Sequence, residues 1–193
     1  MTERVGVFGG TFDPPHFGHL AAARAASRAA ALDGVVFVPA GRPWQKDGRS
    51  VSAAEDRYRM TELAIRDDEP AFAVSRIEVD RDGPSYTVDT LESFDREERE
   101  LFLILGADAA AGLHTWHRPD RICELAVLAI VNRPGHDRPR TSPACRCVDV
   151  AMEPVDISAT EVRRRIGAGD DVHGFVPDAV AAYAAERGLY GPG

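Results

Sequence analysis

Gly9-Gly10-Thr11-Phe12-Asp13-Pro14-Pro15-His16-Phe17-Gly18-His19 lies between an apolar run, Val5 to Phe8, and an alanine-rich stretch, His16 to Leu32. The run predicts a buried β-strand and the stretch predicts a helix. Gly9 and Gly10 free the backbone to turn and to approach a ligand closely. A helix starting after such a turn offers amide N–H groups and a partial positive charge, both of which favour phosphate. His16 and His19 stand at i and i+3 and so share one face of its first turn. Imidazoles there can donate hydrogen bonds to phosphate oxygens, and either can carry positive charge near neutral pH. The string has neither the Gly-Lys-Ser/Thr of a P-loop nor the Gly-x-Gly-x-x-Gly of dinucleotide-binding turns. A tight turn with two solvent-facing histidines is the plainer alternative, and the length of the string argues against it.

The same alternation continues along the chain. Val35 to Val38 predicts a second strand, and Ala53 to Ile65 a helix with Ser52 as N-cap and Glu55 at capping-box spacing. Phe72 to Val79 has β-rich character, Asp82-Gly83-Pro84-Ser85 a turn, and Thr87 to Phe94 a helix. Leu101 to Leu105 and Ala126 to Val131 are continuous apolar runs, as in a parallel sheet covered on both faces. Arg146 to Val150 predicts another strand, and Ser158 to Ile166 and Asp178 to Arg187 the last helices. Alternation of this kind predicts an α/β fold with a parallel sheet, whose ligands bind beyond the carboxyl ends of the strands.

Composition narrows the function classes. The chain has 193 residues, suited to a single domain over 1–193, and 44% hydrophobic residues, enough to bury a core. A net charge of −8 leaves no excess of Lys and Arg for a general nucleic-acid surface. Small anionic substrates are compatible with it, because a local pocket can be positive on an acidic protein. Three cysteines, Cys123, Cys145 and Cys147, form no evident disulfide or zinc framework and point to a reducing, cytoplasmic setting. No secretory signal and no apolar run near the length of a membrane span are visible.

The first string resembles the signature of the nucleotidylyltransferase superfamily, Gly-x-Phe-Asp-x-x-His-x-Gly-His. The resemblance implies a Rossmann-like doubly wound parallel sheet with helices on both faces. It also implies that His16 and His19 bind the triphosphate of ATP and stabilise the transition state, with further ATP contacts from Gly9, Gly10, Thr11 and Phe12. Ile157-Ser158-Ala159-Thr160-Glu161-Val162-Arg163 resembles the superfamily's second signature, Ile-Ser-Ser-Thr-x-x-Arg. Ser158 can cap a helix and Arg163 can fork around phosphate oxygens. Through this likeness Ile157, Ser158, Thr160 and Arg163 join the expected ATP site, with Arg163 also catalytic. Ala159 stands where the signature has serine, which removes one hydroxyl.

The middle of the chain resembles the bacterial nicotinate mononucleotide adenylyltransferases. Pro39-Ala40-Gly41-Arg42-Pro43-Trp44-Gln45-Lys46 implies a phosphate contact by Lys46. Tyr86-Thr87-Val88-Asp89-Thr90-Leu91 implies that the helix start at Thr87 receives the nicotinate carboxylate. Gly106-Ala107-Asp108 implies ribose contacts from Asp108 beside Gly106, and Trp116 a stack on the pyridine ring. Arg133, in Arg133-Pro134-Gly135, is a further substrate-side candidate. The implied partners are ATP and nicotinate mononucleotide, with Mg²⁺ carried mainly by the ATP phosphates and no protein metal ligands. A homodimer is among the open oligomeric alternatives. Two rival functions stay in view. An adenylyltransferase with another acceptor, such as phosphopantetheine, would have no use for the Thr87 and Trp116 segments. A non-catalytic nucleotide sensor would not need His16, His19, Lys46 and Arg163 together.

Overall fold

The computed structural model describes residues 2–42, 51–132, 139, 141–153 and 155–191. Its centre is a 6-stranded sheet in the order β3-β2-β1-β4-β5-β6. The strands are β1 (Glu3–Gly10), β2 (Gly34–Pro39), β3 (Phe72–Val74), β4 (Arg99–Gly106), β5 (Ala126–Asn132) and β6 (Cys147–Ala151), and every pairing is parallel. The helices are α1 (Phe17–Ala29), α2 (Ala54–Ile65), α3 (Thr87–Phe94), α4 (Ala107–Ala111), α5 (Pro119–Leu125), α6 (Ala159–Ala168) and α7 (Asp178–Glu186).

Alternation along the strands divides the core into two layers. In β4, Leu101, Leu103 and Leu105 face a cluster that includes Val88 and Leu91 of α3 and Ile122 of α5. Ile104 faces the other way, into a cluster with Leu20 and Ala23 of α1, Met60 of α2, Val162 of α6 and Val180 of α7. Both faces are therefore covered, which is why β4 and β5 read as unbroken apolar runs. The alanines of α1 have a packing role: Ala22, Ala23, Ala25 and Ala26 are buried, letting the helix lie close on the sheet.

The doubly wound reading of the sequence holds, and several details differ. α2 begins at Ala54 with Ala53 as N-cap, so Ser52 does not cap it. Instead the Ser52 N–H donates to Asp13 Oδ2 at 3.3 Å, and Glu55 pairs with Arg76. β3 ends at Val74, because Arg76 turns out to meet Glu55 and Asp80. α4 and α5 have 5 and 7 residues, too short to set up a readable helical period.

The cysteines also depart from expectation. Cys123 and Cys145 are joined as a disulfide across a sequence separation of 22, and Cys147 is free. The fold packs α5 and the approach to β6 against one apolar cluster, a neighbourhood that the sequence spacing conceals. Thiol titration of the unreduced, denatured protein should accordingly find one reactive thiol and titration after reduction three. Closing a loop of this size should stabilise the fold by about 3 kcal/mol relative to the reduced chain. Three thiols without reductant, or an unchanged melting temperature on reduction, would contradict the bridge.

Candidate active site

Strand order reverses at β1, which has β2 on one side and β4 on the other, so the loops leaving β1 and β4 diverge and open a crevice at their carboxyl ends. The loop leaving β1 carries the histidines. Phe12 takes a left-handed backbone, φ 51°, unusual for a residue with a side chain. Its ring is 2% exposed and packs against Phe8, Phe37 and the His19 ring, with centroids 5.6, 5.6 and 5.1 Å away. Burying a phenyl ring stabilises by about 2–3 kcal/mol, enough to offset a left-handed residue at roughly 1–2 kcal/mol. Gly10 is required by the same ring, since a Cβ there would come within 2.8 Å of it.

His16 precedes α1 as its N-cap, and His19 lies in the first turn. The two rings stack, with centroids 3.7 Å apart and planes at 29°. The His16 backbone N–H donates to His19 Nδ1 at 3.1 Å. When neutral, His19 therefore keeps its proton on Nε2, a donor. His16 is buried, and burial pushes its pKa down from 6.5 to about 4. The free protein thus holds His16 neutral at pH 7, which corrects the expectation that either ring can carry charge there. Gly18 is explained too: a Cβ there would lie 3.0 Å from the His16 ring.

The amides at this helix start are less available than the sequence suggests. Phe17 N–H donates to the Phe175 carbonyl at 3.0 Å, and those of His19 and Leu20 turn back to the His16 carbonyl. The imidazoles, more than these amides, are then the donors that this end can offer an anion.

The second signature comes to the first. Ser158 caps α6, its Oγ accepting from Glu161 N–H at 3.2 Å. Arg163 donates to the Asp13 carbonyl at 2.8 Å, and its other terminal nitrogen to Thr160 Oγ1 at 3.3 Å. The Ile157 carbonyl stands 3.9 Å from the Cβ position of Gly18. Residues 150 apart in sequence are thereby brought to one loop.

The middle segments assemble beside it. Ala40 N–H donates to the Gly10 carbonyl at 2.9 Å. Ser85 Oγ accepts from Gly41 N–H and Arg42 N–H, at 3.0 and 3.2 Å, and Ser85 N–H donates to the Arg42 carbonyl. Next to it, Tyr86 is the N-cap of α3, where no side chain caps the helix amides that begin at Thr87. The Tyr86 ring stacks on His117, centroids 4.4 Å apart, immediately beyond the half-buried Trp116. His117, which no motif in the sequence marks, is therefore part of this cluster. Gly106 ends β4 and caps α4, with Asp108 exposed in the first turn of that helix. Among the described residues, no side-chain hydrogen bond or ion pair joins Asp108 to the other candidates. Trp44, Lys46 and Arg133 lie outside the described residues.

Sequence reading missed the buried polar residues beneath these loops. Arg57 is 1% exposed, and Glu78, 6% exposed, accepts the Thr90 hydroxyl at 2.6 Å. Burial pushes the Glu78 carboxyl up, against the hydrogen bonds from Thr90 and Ser85. An arginine and a glutamate amid surface-like sequence give no periodic signal of burial, so nothing short of the fold marks them.

Anion donors at the reversal point of an all-parallel sheet are the arrangement of nucleotide-handling α/β proteins. Comparison with known proteins narrows the class. The family description "Cytidylyltransferase-like" matches residues 7–165. Similar proteins include a probable nicotinate-nucleotide adenylyltransferase of Thermus thermophilus, 48% identical over 97% of this chain and 99% of its own length. Another from Acidothermus cellulolyticus is 43% identical over 97% of this chain and 94% of its own. The fold is similar to that of nicotinic acid mononucleotide adenylyltransferase from Plasmodium falciparum complexed with NaAD, with a TM-score of 0.80 over 97% of both chains at 15% identity. The chain belongs to the cytidylyltransferase-like family, among its nicotinate-nucleotide adenylyltransferases.

His16 has a consequence for stability. The unfolded chain takes up a proton at this residue near pH 6.5 and the folded chain only near 4, so protonation favours unfolding between those values. Stability from this residue is complete above pH 6.5 and is lost as pH falls toward 4, on the order of 3 kcal/mol in all. Denaturant titrations at pH 7 and 4.5 should show the wild type losing more stability than His16→Gln. Equal losses in the two proteins would refute a buried neutral His16.

Proposed function

We propose that the chain transfers the adenylyl group of ATP to nicotinate mononucleotide, giving nicotinate adenine dinucleotide and pyrophosphate. The observation that carries the reading is the stacked His16–His19 pair at the end of β1, joined to the start of α6 through Arg163 and Asp13. Both regions that a triphosphate would touch in this reading thus meet at one hydrogen bond. The relatives' names supply the acceptor, and the uncapped start of α3 suits it: a carboxylate gains more from a positive helix end than a carboxamide does.

In this reading a phosphate oxygen of the mononucleotide attacks the α-phosphorus. The new O–P bond forms as the bond to the bridging oxygen of pyrophosphate breaks, and pyrophosphate leaves in line. The attacking phosphate is already ionised, so no side chain need act as a strong base. The protein's work is alignment and the stabilisation of charge on oxygen. His19 Nε2–H and His16 donate to the triphosphate, and Arg163 forks around it, exchanging its Asp13 carbonyl for phosphate oxygens. Gly9, Gly10, Thr11 and Phe12 line the approach, and Ile157, Ser158 and Thr160 the far wall. Asp108 beside Gly106 receives the adenosine ribose. Thr87 and Trp116 form the acceptor side, to which the family resemblance adds Lys46 and Arg133. Among the described residues no group of three or more His, Cys, Asp or Glu could hold a metal ion, whereas the site's own groups are donors and cations suited to phosphate. Mg²⁺, carried by ATP, would supply charge neutralisation on its phosphates, and His16, His19 and Arg163 would hold the phosphate oxygens.

Pyrophosphate release with ATP and a panel of acceptors (nicotinate mononucleotide, nicotinamide mononucleotide, phosphopantetheine) tests the reading. Release should be fastest with the nicotinate compound, and release only with phosphopantetheine, or with none, would overturn it. His19→Ala should lower kcat more than about a hundredfold, the scale of losing one transition-state donor. Near-normal turnover of the folded variant would remove His19 from the chemistry. Trp116→Ala should raise the KM for the mononucleotide at least tenfold more than that for ATP, and equal rises would count against a stack on the pyridine ring.

A further inference from the structure

Arg57, in the first half of α2, is buried, and among the described residues no carboxylate is clamped to it. Its three nitrogens instead donate to three main-chain carbonyls: Nε to Ser52 at 2.9 Å, and the terminal nitrogens to Thr11 at 2.9 Å and to Gly41 at 3.1 Å. Thr11 belongs to the loop that carries the histidines. Gly41 leaves β2 and is tied through Ser85 to the start of α3. Asp13 completes the cluster. It is 3% exposed, and it accepts Ser52 N–H at 3.3 Å and the Tyr190 hydroxyl at 2.6 Å, while its own carbonyl holds Arg163.

This arrangement is costly as a stability device. Burial disfavours the charged guanidinium and lowers its pKa, with the charge of Asp13 opposing the shift. A planar fork nevertheless does what an apolar side chain of equal volume could not: it fixes three separate chain segments relative to one another by direction as well as distance. Two of those segments lead to opposite sides of the transfer reaction. Thr11 lies on the ATP side, and Gly41, through Ser85 and Tyr86, on the acceptor side.

We propose that Arg57 is a positioning residue for adenylyl transfer, its fork holding the histidine loop against the segment leaving β2 so that the acceptor phosphate lines up with the α-phosphorus. This inference rests on the adenylyl-transfer reading above. It touches no substrate atom and acts through Thr11, Gly41 and Ser52. Misplacement of reacting groups by about 1 Å can cost a hundredfold in rate, whereas each half-site, still intact, keeps its ligand. Loss of the fork should therefore appear in kcat and not in KM.

The test compares Arg57→Lys and Arg57→Met with the wild type by steady-state pyrophosphate release, with melting curves recorded for each. Lysine keeps the charge beside Asp13 but cannot reach three carbonyls at once. Both variants should lose about ten- to a hundredfold in kcat, with both KM values within about threefold of wild type. Wild-type kcat in Arg57→Lys would show that only charge matters and would overturn the proposal, as would a loss confined to KM. Should both variants be unfolded at the assay temperature, Tyr190→Phe decides. It takes one hydroxyl from Asp13 at the edge of the same cluster and should lower kcat at least about threefold, and an unchanged kcat there overturns the proposal. An inactive wild type sinks the underlying reading, whereas an active wild type with equally active variants sinks this inference alone.

Discussion

The reversal of strand order at β1 is the constraint from which the site follows. β1 pairs with β2 along one edge and β4 along the other. Right-handed connections then send the two halves of the chain to opposite directions, and the loops leaving β1 and β4 cannot cover each other. A gap of fixed place results before any functional residue is considered. The chain fills its rim from five distant parts of the sequence: the histidine loop, the segment around Gly41, the segment around Tyr86, the turn after β4, and the start of α6.

Loops placed this way need internal struts, and the struts here are charged groups that have left water. Arg57, Asp13 and Glu78 are all nearly fully buried, and none of the three sits in the apolar layers of the sheet. They lie at its carboxyl edge, where main-chain groups of irregular loops would otherwise go unpaired. Arg57 satisfies three carbonyls, Asp13 joins Ser52 to Tyr190, and Glu78 with Thr90 backs the helix that begins at Thr87. Apolar substitutes would cost less desolvation, yet they would leave these loops without direction. Buried charge is thus concentrated where precision in backbone placement is worth more than stability.

The sequence made some of this legible and hid the rest for physical reasons. Strand and helix periods, together with glycines at turns, sufficed for the parallel α/β sheet and for α3 at its observed bounds. The histidine string was legible because strand, glycine turn and helix start are contiguous in the chain. That the two signatures share a site could only be inferred by resemblance, since Arg163 and Asp13, which join them, are 150 residues apart in sequence. Arg57 was invisible: within Ala54–Ile65 it reads as one more polar helix residue, and only the convergence of three carbonyls gives it a place. The Cys123–Cys145 bridge was hidden in the same way, because cysteine spacing carries no information about which helices share a cluster. Local signals sufficed for most elements, failed at the Ser52 cap because Asp13 takes its N–H, and failed throughout where the determining neighbours are distant.

The histidine pair shows how an acidic chain can prepare a site for a polyanion. With a net charge of −8, a permanently cationic pocket would be a strong lure for the protein's own carboxylates. Arg163 is spoken for by a carbonyl, and His16 is kept neutral by burial. Charge is therefore stored in a form that costs little while the site is empty. A triphosphate changes the balance, because a negative neighbour favours the protonated form of imidazole and offers Arg163 better acceptors than a carbonyl. In the adenylyl-transfer reading, an arriving anion thus favours added positive charge on His16 at the end of β1.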